Sequence, residues 1–265
     1  MNTGKNIYFA SDFHLGVPNG KLSREREKKL VAWLDGISET AEEIYLVGDI
    51  FDFWYEYGTV IPKGFVRFQA KIAEMCDKGI PVHIFIGNHD MWMFRYFEEE
   101  LGVTMHREPV VREWNGKKFF IGHGDGLGPG DHGYKFIKKV FANPLCIWLF
   151  KWLHPDIGVR LANFWSGRSR ESNMDSDQNY QGDENEWLLQ FCRQTLEKEH
   201  FDYFIFGHRH MVLDKPVGQN ARYMNLGAWF KDPHFAVWNG EELRLESVQD
   251  AIVFANKTTL SRRTT

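Results

Sequence analysis

Acidic, amide and imidazole side chains recur in five short runs: Asp12-Phe13-His14, Gly48-Asp49, Gly87-Asn88-His89-Asp90, Gly122-His123 and Gly207-His208-Arg209-His210. Carboxylate, amide and imidazole together form the mixed oxygen and nitrogen donor set that Mn²⁺, Fe²⁺ or Zn²⁺ accepts. An Asp-X-His or His-X-His pair on a tight turn can send both side chains into one cavity. Each run also has an ordinary explanation, since Gly-Asp alone is common turn chemistry. Their joint occurrence argues against that explanation, because all five follow a short apolar stretch in a set order along the chain.

Those apolar stretches are the elements that must position the donors. Ile7 to Ala10, Ile44 to Val47, Val82 to Ile86, Phe119 to Ile121 and Tyr203 to Phe206 are expected as buried strands. Helical spacing over residues 22–36, 64–78 and 183–199 alternates with them, which predicts a layered α/β fold. In such sheets ligands gather at the carboxyl ends of the strands, where all five runs lie. Arg222 to Val248 alternates apolar residues with small turns such as Asn239-Gly240, and is expected as antiparallel hairpins.

Composition narrows the function classes. A chain of 265 residues, 43% hydrophobic and 26% charged, can bury a core. Its net charge of −4 argues against bulk nucleic-acid binding, which needs a broad basic surface. Cys76, Cys146 and Cys192 lie far apart, so neither a disulfide framework nor a cysteine zinc site is indicated. That fits a reducing compartment, and a cytoplasmic location is expected. The N-terminus has no apolar signal core. The uncharged stretch between Lys139 and Lys151 is interrupted by Pro144 and falls short of the roughly 20 residues a membrane span needs. The chain is therefore expected to be soluble or to lie on a membrane surface.

One segment breaks the strand and helix alternation. Residues 132–170 interleave Tyr134, Phe136, Phe141, Trp148, Phe150, Trp152, Phe164 and Trp165 with Lys135, Lys138, Lys139, Lys151, Arg160, Arg168 and Arg170. The segment falls between two donor-bearing strands, so it is expected to be an inserted cap or binding wall. The plain alternative is a small satellite core.

The five runs, in this order, resemble the signature of the calcineurin-like metallophosphoesterases over nearly the whole chain. That resemblance implies a single domain, 1–265, built as a four-layer αββα sandwich with a helical cap insertion, and two divalent metal ions, expected as Mn²⁺. It implies that Asp12, His14, Asp49 and His210 hold one ion, and that Asp49, Asn88, His123 and His208 hold the other. Two cations about 3.5–4 Å apart repel, and the shared Asp49 carboxylate would offset that repulsion. His89 would assist the leaving oxygen, with Asp90 orienting its ring.

Further segments resemble the UDP-2,3-diacylglucosamine diphosphatases of lipid A synthesis. They are Gly48 to Trp54, His123-Gly124-Asp125, Asp131-His132-Gly133-Tyr134, Ser169-Arg170-Glu171 and Asn225 to Trp229. The resemblance implies a UDP-linked diacyl sugar lipid as substrate and peripheral contact with the cytoplasmic face of the inner membrane. It also implies substrate-binding roles for Asp131, Tyr134, Arg168, Ser169 and Arg170. A cap over the metals would then turn apolar faces around Phe141, Trp148 and Trp152 toward a groove. The chain departs from the best-known branch by carrying His89 where that branch has Arg, and Tyr55-Glu56-Tyr57-Gly58 in place of an acidic run. Another metallophosphoesterase activity, on a phosphodiester or nucleotide, stays open. So does a scaffold without activity, although such members lose metal ligands and this chain retains every one.

Overall fold

The computed structural model describes residues 5–129, 132–178, 180 and 182–249, without the side chains of residues 132–134, 163 and 168–178. In chain order, β1 (Asn6–Ala10), α1 (Gly20–Ile37), β2 (Ala41–Val47), α2 (Val66–Asp77), β3 (Val82–Phe85), α3 (Tyr96–Leu101) and β4 (Thr104–His106) form the first half. There follow β5 (Val110–Trp114), β6 (Lys117–Ile121), α4 (His132–Phe141), α5 (Pro144–Lys151), α6 (Pro155–Gln178) and α7 (Trp187–Leu196). The chain continues with β7 (Tyr203–Phe206), β8 (Val212–Val217), β9 (Ala221–Leu226), β10 (His234–Trp238) and β11 (Leu243–Ser247).

Two sheets result, ordered β11-β10-β1-β2-β3-β4 and β5-β6-β7-β9-β8. Parallel pairing joins β1 through β4 in the first, and β6, β7 and β9 in the second. Period-two alternation decides what each face meets. Ile7, Phe9, Tyr45, Val47 and Phe85 point inward and pack on Phe119, Ile121, Ile205, Met224 and Leu226 of the other sheet. The residues between them, Tyr8, Ala10, Ile44, Leu46 and Ile84, point outward to Leu30, Trp33 and Leu34 of α1 and Phe68 and Ile72 of α2. On the far side Phe204, Phe206 and Tyr223 meet Leu188, Leu189 and Cys192 of α7. Helices, two sheets and a helix therefore stack as the expected αββα order. Burial on both faces is why these strands read as continuous apolar runs.

Several features go beyond the sequence expectation, among them α3, β4 and β5, which none of the patterns above marks. The edge strand β8 alternates exposed and half-buried residues and carries Pro216, which a central strand would not tolerate. The inserted helices run to Gln178, beyond the expected limit of 170, because residues 171–178 are polar and lack the apolar spacing that marks a helix. No helix among the described residues is long and apolar enough to cross a membrane.

Candidate metal centre and its cap

All five donor runs follow a carboxyl end of a strand: β1, β2, β3, β6 and β7. The turns that carry them are unusual. Asp12, His14, Asp49, His208 and His210 have φ between 42° and 70°, the left-handed region, although none is glycine. Such residues cost about 1–3 kcal/mol each and persist where surrounding contacts over-determine them. The preceding glycines make room: a Cβ on Gly87 would collide with the Asp49 carboxylate, and one on Gly207 with Asp12 and Ser11.

The contacts that hold the turns are specific. Arg26 reaches from α1 to donate to the carbonyls of Phe13, His14 and Val17 at 2.7–2.9 Å. The Arg209 side chain turns away from its neighbouring histidines and forms a buried ion pair with Glu186, 3.3 Å away, beneath the Trp187 ring. Ser11 donates to Asp12 at 2.5 Å, and the His208 amide donates to the same carboxylate at 3.1 Å.

The donors converge as two adjoining lobes. In one, His14 Nε2 lies 3.0 Å from His210 Nε2, 3.8 Å from Asp12 and 3.6 Å from Asp49 Oδ2. In the other, Asn88 Oδ1 lies 3.1 Å from His123 Nε2 and 2.9 Å from His208 Nδ1. His123 Nδ1 donates to the Val47 carbonyl at 2.9 Å, which directs Nε2 into the site. Asp49 Oδ2 joins the lobes: it is buried, has no hydrogen-bond partner among the described residues, and lies 3.4 Å from His123 Nε2 as well as 3.6 Å from His14. A buried carboxylate oxygen without a donor is costly unless a cation satisfies it. The residues therefore fit a divalent metal.

Electrostatics agree with that fit. Burial alone would raise Asp12 and Asp49, yet the surrounding imidazoles hold both carboxyls below the usual carboxylate range. Burial pulls His123 down, but Asp49, Asp12 and Asp125 outweigh it and push it up to about 10. Burial and the neighbouring His123 charge lower His208 to about 4. Without metal the carboxylates are thus ionised and His123 holds a proton that a cation would displace.

His89 sits beside this cluster, its ring centroid 4.8 Å from that of His14. Burial lowers it to about 4. Its Nδ1 lies 3.2 Å from the Asp52 carbonyl and 3.0 Å from Ser166 Oγ, and Ser166 donates to Asp52 Oδ2 at 2.8 Å. The expected role of Asp90 is corrected here. Its carboxylate accepts from the amides of Ile50, Phe51 and Gly87, tying the β2 turn to the β3 turn, and leaves the His89 ring to Asp52 and Ser166. Three amide donors compete for a short Asp side chain at a turn, and they win. Burial and the Asp49 charge push Asp90 up to about 7.

Ser166 lies on α6, so the insertion reaches the site. Sequence reasoning missed it because a lone serine beside Phe164 and Trp165 carries no pattern of its own. Asp52 stood within a quoted motif, but its position 3.5 Å behind His14 Nδ1 was not foreseen. The inserted helices are seated on an aromatic cluster: Trp92 meets Phe150 in a tilted contact and Phe141 edge-on, with centroids at 4.8 and 5.5 Å. Trp92 Nε1 donates to the Phe141 carbonyl and Tyr55 donates to the Ile147 carbonyl.

The expected inward groove around Phe141, Trp148 and Trp152 is corrected as well. Phe141 belongs to the seat. Trp148 and Trp152 are 53% and 74% exposed, in edge-to-face contact with one another. Phe150 docks on the body, and residues two positions away on a helix are turned by about 200°. Asp131 lies outside the described residues, as do the side chains of Tyr134, Arg168, Ser169 and Arg170, so the proposed substrate contacts are carried by α4 and α6 only as backbone positions.

Residues 5–212 match the sequence profile of the calcineurin-like phosphoesterases. The chain is 38% identical to a UDP-2,3-diacylglucosamine hydrolase of Porphyromonas gingivalis, over 92% of this chain and 98% of that protein. A UDP-2,3-diacylglucosamine hydrolase of Aeromonas salmonicida is 27% identical over 90% of this chain and 91% of its own length. Among solved structures, the phosphoesterase Yfce of E. coli aligns with a TM-score of 0.44 at 13% identity, covering 93% of this chain and 94% of that one. The extent of the profile match and the near full-length identity show that the chain belongs to the calcineurin-like phosphoesterase family of metal-dependent hydrolases, alongside the UDP-2,3-diacylglucosamine hydrolases.

Proposed function

We propose that this protein hydrolyses the phosphoanhydride of UDP-2,3-diacylglucosamine, giving UMP and 2,3-diacylglucosamine 1-phosphate. In this reading one domain with an inserted cap does the work. Asp12, His14, Asp49 and His210 hold one cation, and Asp49, Asn88, His123 and His208 hold a second, with Mn²⁺ the expected ion. Such a pair supplies Lewis acidity toward the phosphoryl oxygens and a water of lowered pKa for in-line attack. Water oxygen bonds to phosphorus, the bond to the departing sugar phosphate breaks, and both products leave as phosphate monoesters.

The chain's own residues then position and assist. His89, with Nδ1 donating toward Ser166 and the Asp52 carbonyl, would take up a second proton on Nε2 once the negative diphosphate is bound, and that N–H would then donate to the oxygen that departs. A phosphate leaving group needs little protonation, so a hydrogen bond from that Nε2–H would suffice without full proton transfer. The cap would hold the acyl chains, and its basic residues would meet the diphosphate or anionic lipid. Asp131, Tyr134, Arg168, Ser169 and Arg170 are the proposed contacts to the substrate head. Peripheral docking on the cytoplasmic face of the inner membrane would use the exposed apolar residues of the cap.

The observation that carries this reading is the bond from Ser166 of the apolar, basic cap to both His89 and Asp52, which couples a lipid-compatible element to the hydrolytic centre. The names of the two relatives support the same substrate. The test is a panel assay on Mn²⁺-loaded protein with UDP-2,3-diacylglucosamine, deacylated UDP-glucosamine, bis-p-nitrophenyl phosphate and nucleotides. Preferred release of UMP from the diacyl substrate is expected. Equal cleavage of the acylated and deacylated compounds would end the lipid reading.

A further inference from the structure

The two lobes of the centre open onto different surroundings. The His14 lobe adjoins His89, Asp52 and, through Ser166, the cap. On the other side, a cavity of about 440 Å³ opens beside His123 and Gly87. Its walls come from the ends of β3 and β6, the turn between β4 and β5, and α4.

This cavity has the chemistry of an anion site with an apolar wall. Four cationic side chains line it, Arg107, Lys135, Lys138 and Lys139, against the two carboxylates Glu108 and Asp125. Lys138 is joined to Asp125 at 2.6 Å, and Lys135 donates to the Gly128 carbonyl at 2.7 Å. Arg107 is anchored by the Met93 and Phe94 carbonyls. Lys139 makes no such bond among the described residues and is exposed on α4. Ile86, Met91 and Pro109 supply flat apolar surface. The volume lies within the roughly 300–1,000 Å³ usual for small-molecule sites.

We propose that this groove is the subsite for the nucleoside monophosphate half of the substrate. The inference rests on the diphosphate reading above and deepens it. A molecule cleaved at a central phosphoanhydride must place its two halves on two sides of the centre. The aromatic cap flank suits acyl chains, whereas four cations would have to be desolvated to bury a hydrocarbon in this groove. A phosphate with an attached ribose and base instead gains charge-assisted bonds from Lys139 and Arg107, and its base packs against the Met91 and Pro109 surface.

The experiment titrates Mn²⁺-loaded protein with UMP and with inorganic phosphate, in the wild type, Lys139→Glu and Arg107→Gln. UMP is expected to bind at least about tenfold more tightly than phosphate in the wild type, and each substitution to weaken UMP about tenfold, the loss typical of one charge-assisted contact. Inorganic phosphate, which has no ribose and base to hold it in the groove and can settle on the cations alone, is expected to lose clearly less. Exposed Lys139 tests the groove without disturbing a loop, should Arg107→Gln fold poorly. Equal affinity for UMP and phosphate in the wild type, or UMP binding indifferent to Lys139→Glu, would overturn the subsite. The hydrolysis assay separates this from the broader reading. Loss of diacyl substrate cleavage with Lys139-dependent UMP binding intact removes the lipid and keeps the subsite, while the reverse pattern removes the subsite alone.

Discussion

The turns at the strand ends and the inserted cap treat their side chains in opposite ways. At the turns, Asp12, His14, Asp49 and His123 are almost fully buried, and Arg26, Ser11 and the Val47 carbonyl hold them in place. In the cap, α5 buries none of its residues, and Phe136, Leu145, Trp148, Trp152, Phe164 and Trp165 are each more than half exposed. A polar cluster sits inside while large apolar groups sit outside. Internal packing explains neither, since burying charge costs energy and exposing aromatics forgoes the hydrophobic gain. The difference teaches that the turns suit cations, whereas the large apolar side chains of the inserted helices are not covered by packing among the described residues. Where exposed apolar side chains join into one large patch, they mark interaction sites.

Damage at the shared carboxylate should break this contrast most severely. Asp49→Ala is expected to lower metal-dependent turnover by more than about 10³-fold, because it removes a donor common to both lobes. Metal content measured alongside should fall as well; near-normal turnover would show that the two lobes do not share Asp49.

Next in size is the junction between the two regions. His89→Ala is expected to reduce kcat about 10²-fold with metal content unchanged, the lower end of the range for an acid–base group because a phosphate leaving group needs little protonation. Ser166→Ala should cost about tenfold in kcat through loss of one positioning bond, and Ser166→Thr, which keeps the hydroxyl, should recover most of it. Parallel loss of metal and activity in the His89 variant would make that residue structural instead.

Charged substitutions on the outer face of the cap sharpen the contrast from the other side. Trp148→Asp and Trp152→Asp are expected to weaken binding to anionic vesicles about 10–100-fold, from the roughly 1.5–3 kcal/mol of a buried aromatic side chain. Thermal stability should hardly change, because these side chains are already exposed. A large fall in melting temperature would instead reveal them as part of a packed core.

Proton competition gives the smallest effect. His123 in the metal-free protein is pushed up to about 10 by its carboxylate neighbours, so a cation must displace its proton throughout the neutral range. Affinity should therefore rise with pH, by at most about tenfold per unit, and level off above the point where His123 is neutral. Titration calorimetry in buffers of different ionisation enthalpy would register the released proton; an affinity flat from pH 6 to 9 would exclude His123 as a donor.

The sequence by itself determined the order of donor-bearing strand ends and a layered α/β fold, while the αββα stacking was implied by the family resemblance. The continuous apolar character of stretches such as Ile7 to Ala10 and Tyr203 to Phe206 is a local property, and it dictates burial on both faces wherever the strands go. The glycines before Asn88 and His208 were legible for the same reason, although why they must be glycine emerged only from the approach of the Asp49 and Asp12 carboxylates. Tertiary structure alone decided which partners the polar side chains chose. Asp90 is adjacent to His89 in sequence yet bonds three amides, while Ser166, 77 residues away, reaches the His89 ring. The outward turn of Trp148 likewise followed from which face of α5 docked on Tyr55 and Trp92. Hydrogen bonds and helix docking are short-ranged and directional, so they depend on distances between elements that no local pattern of residues encodes.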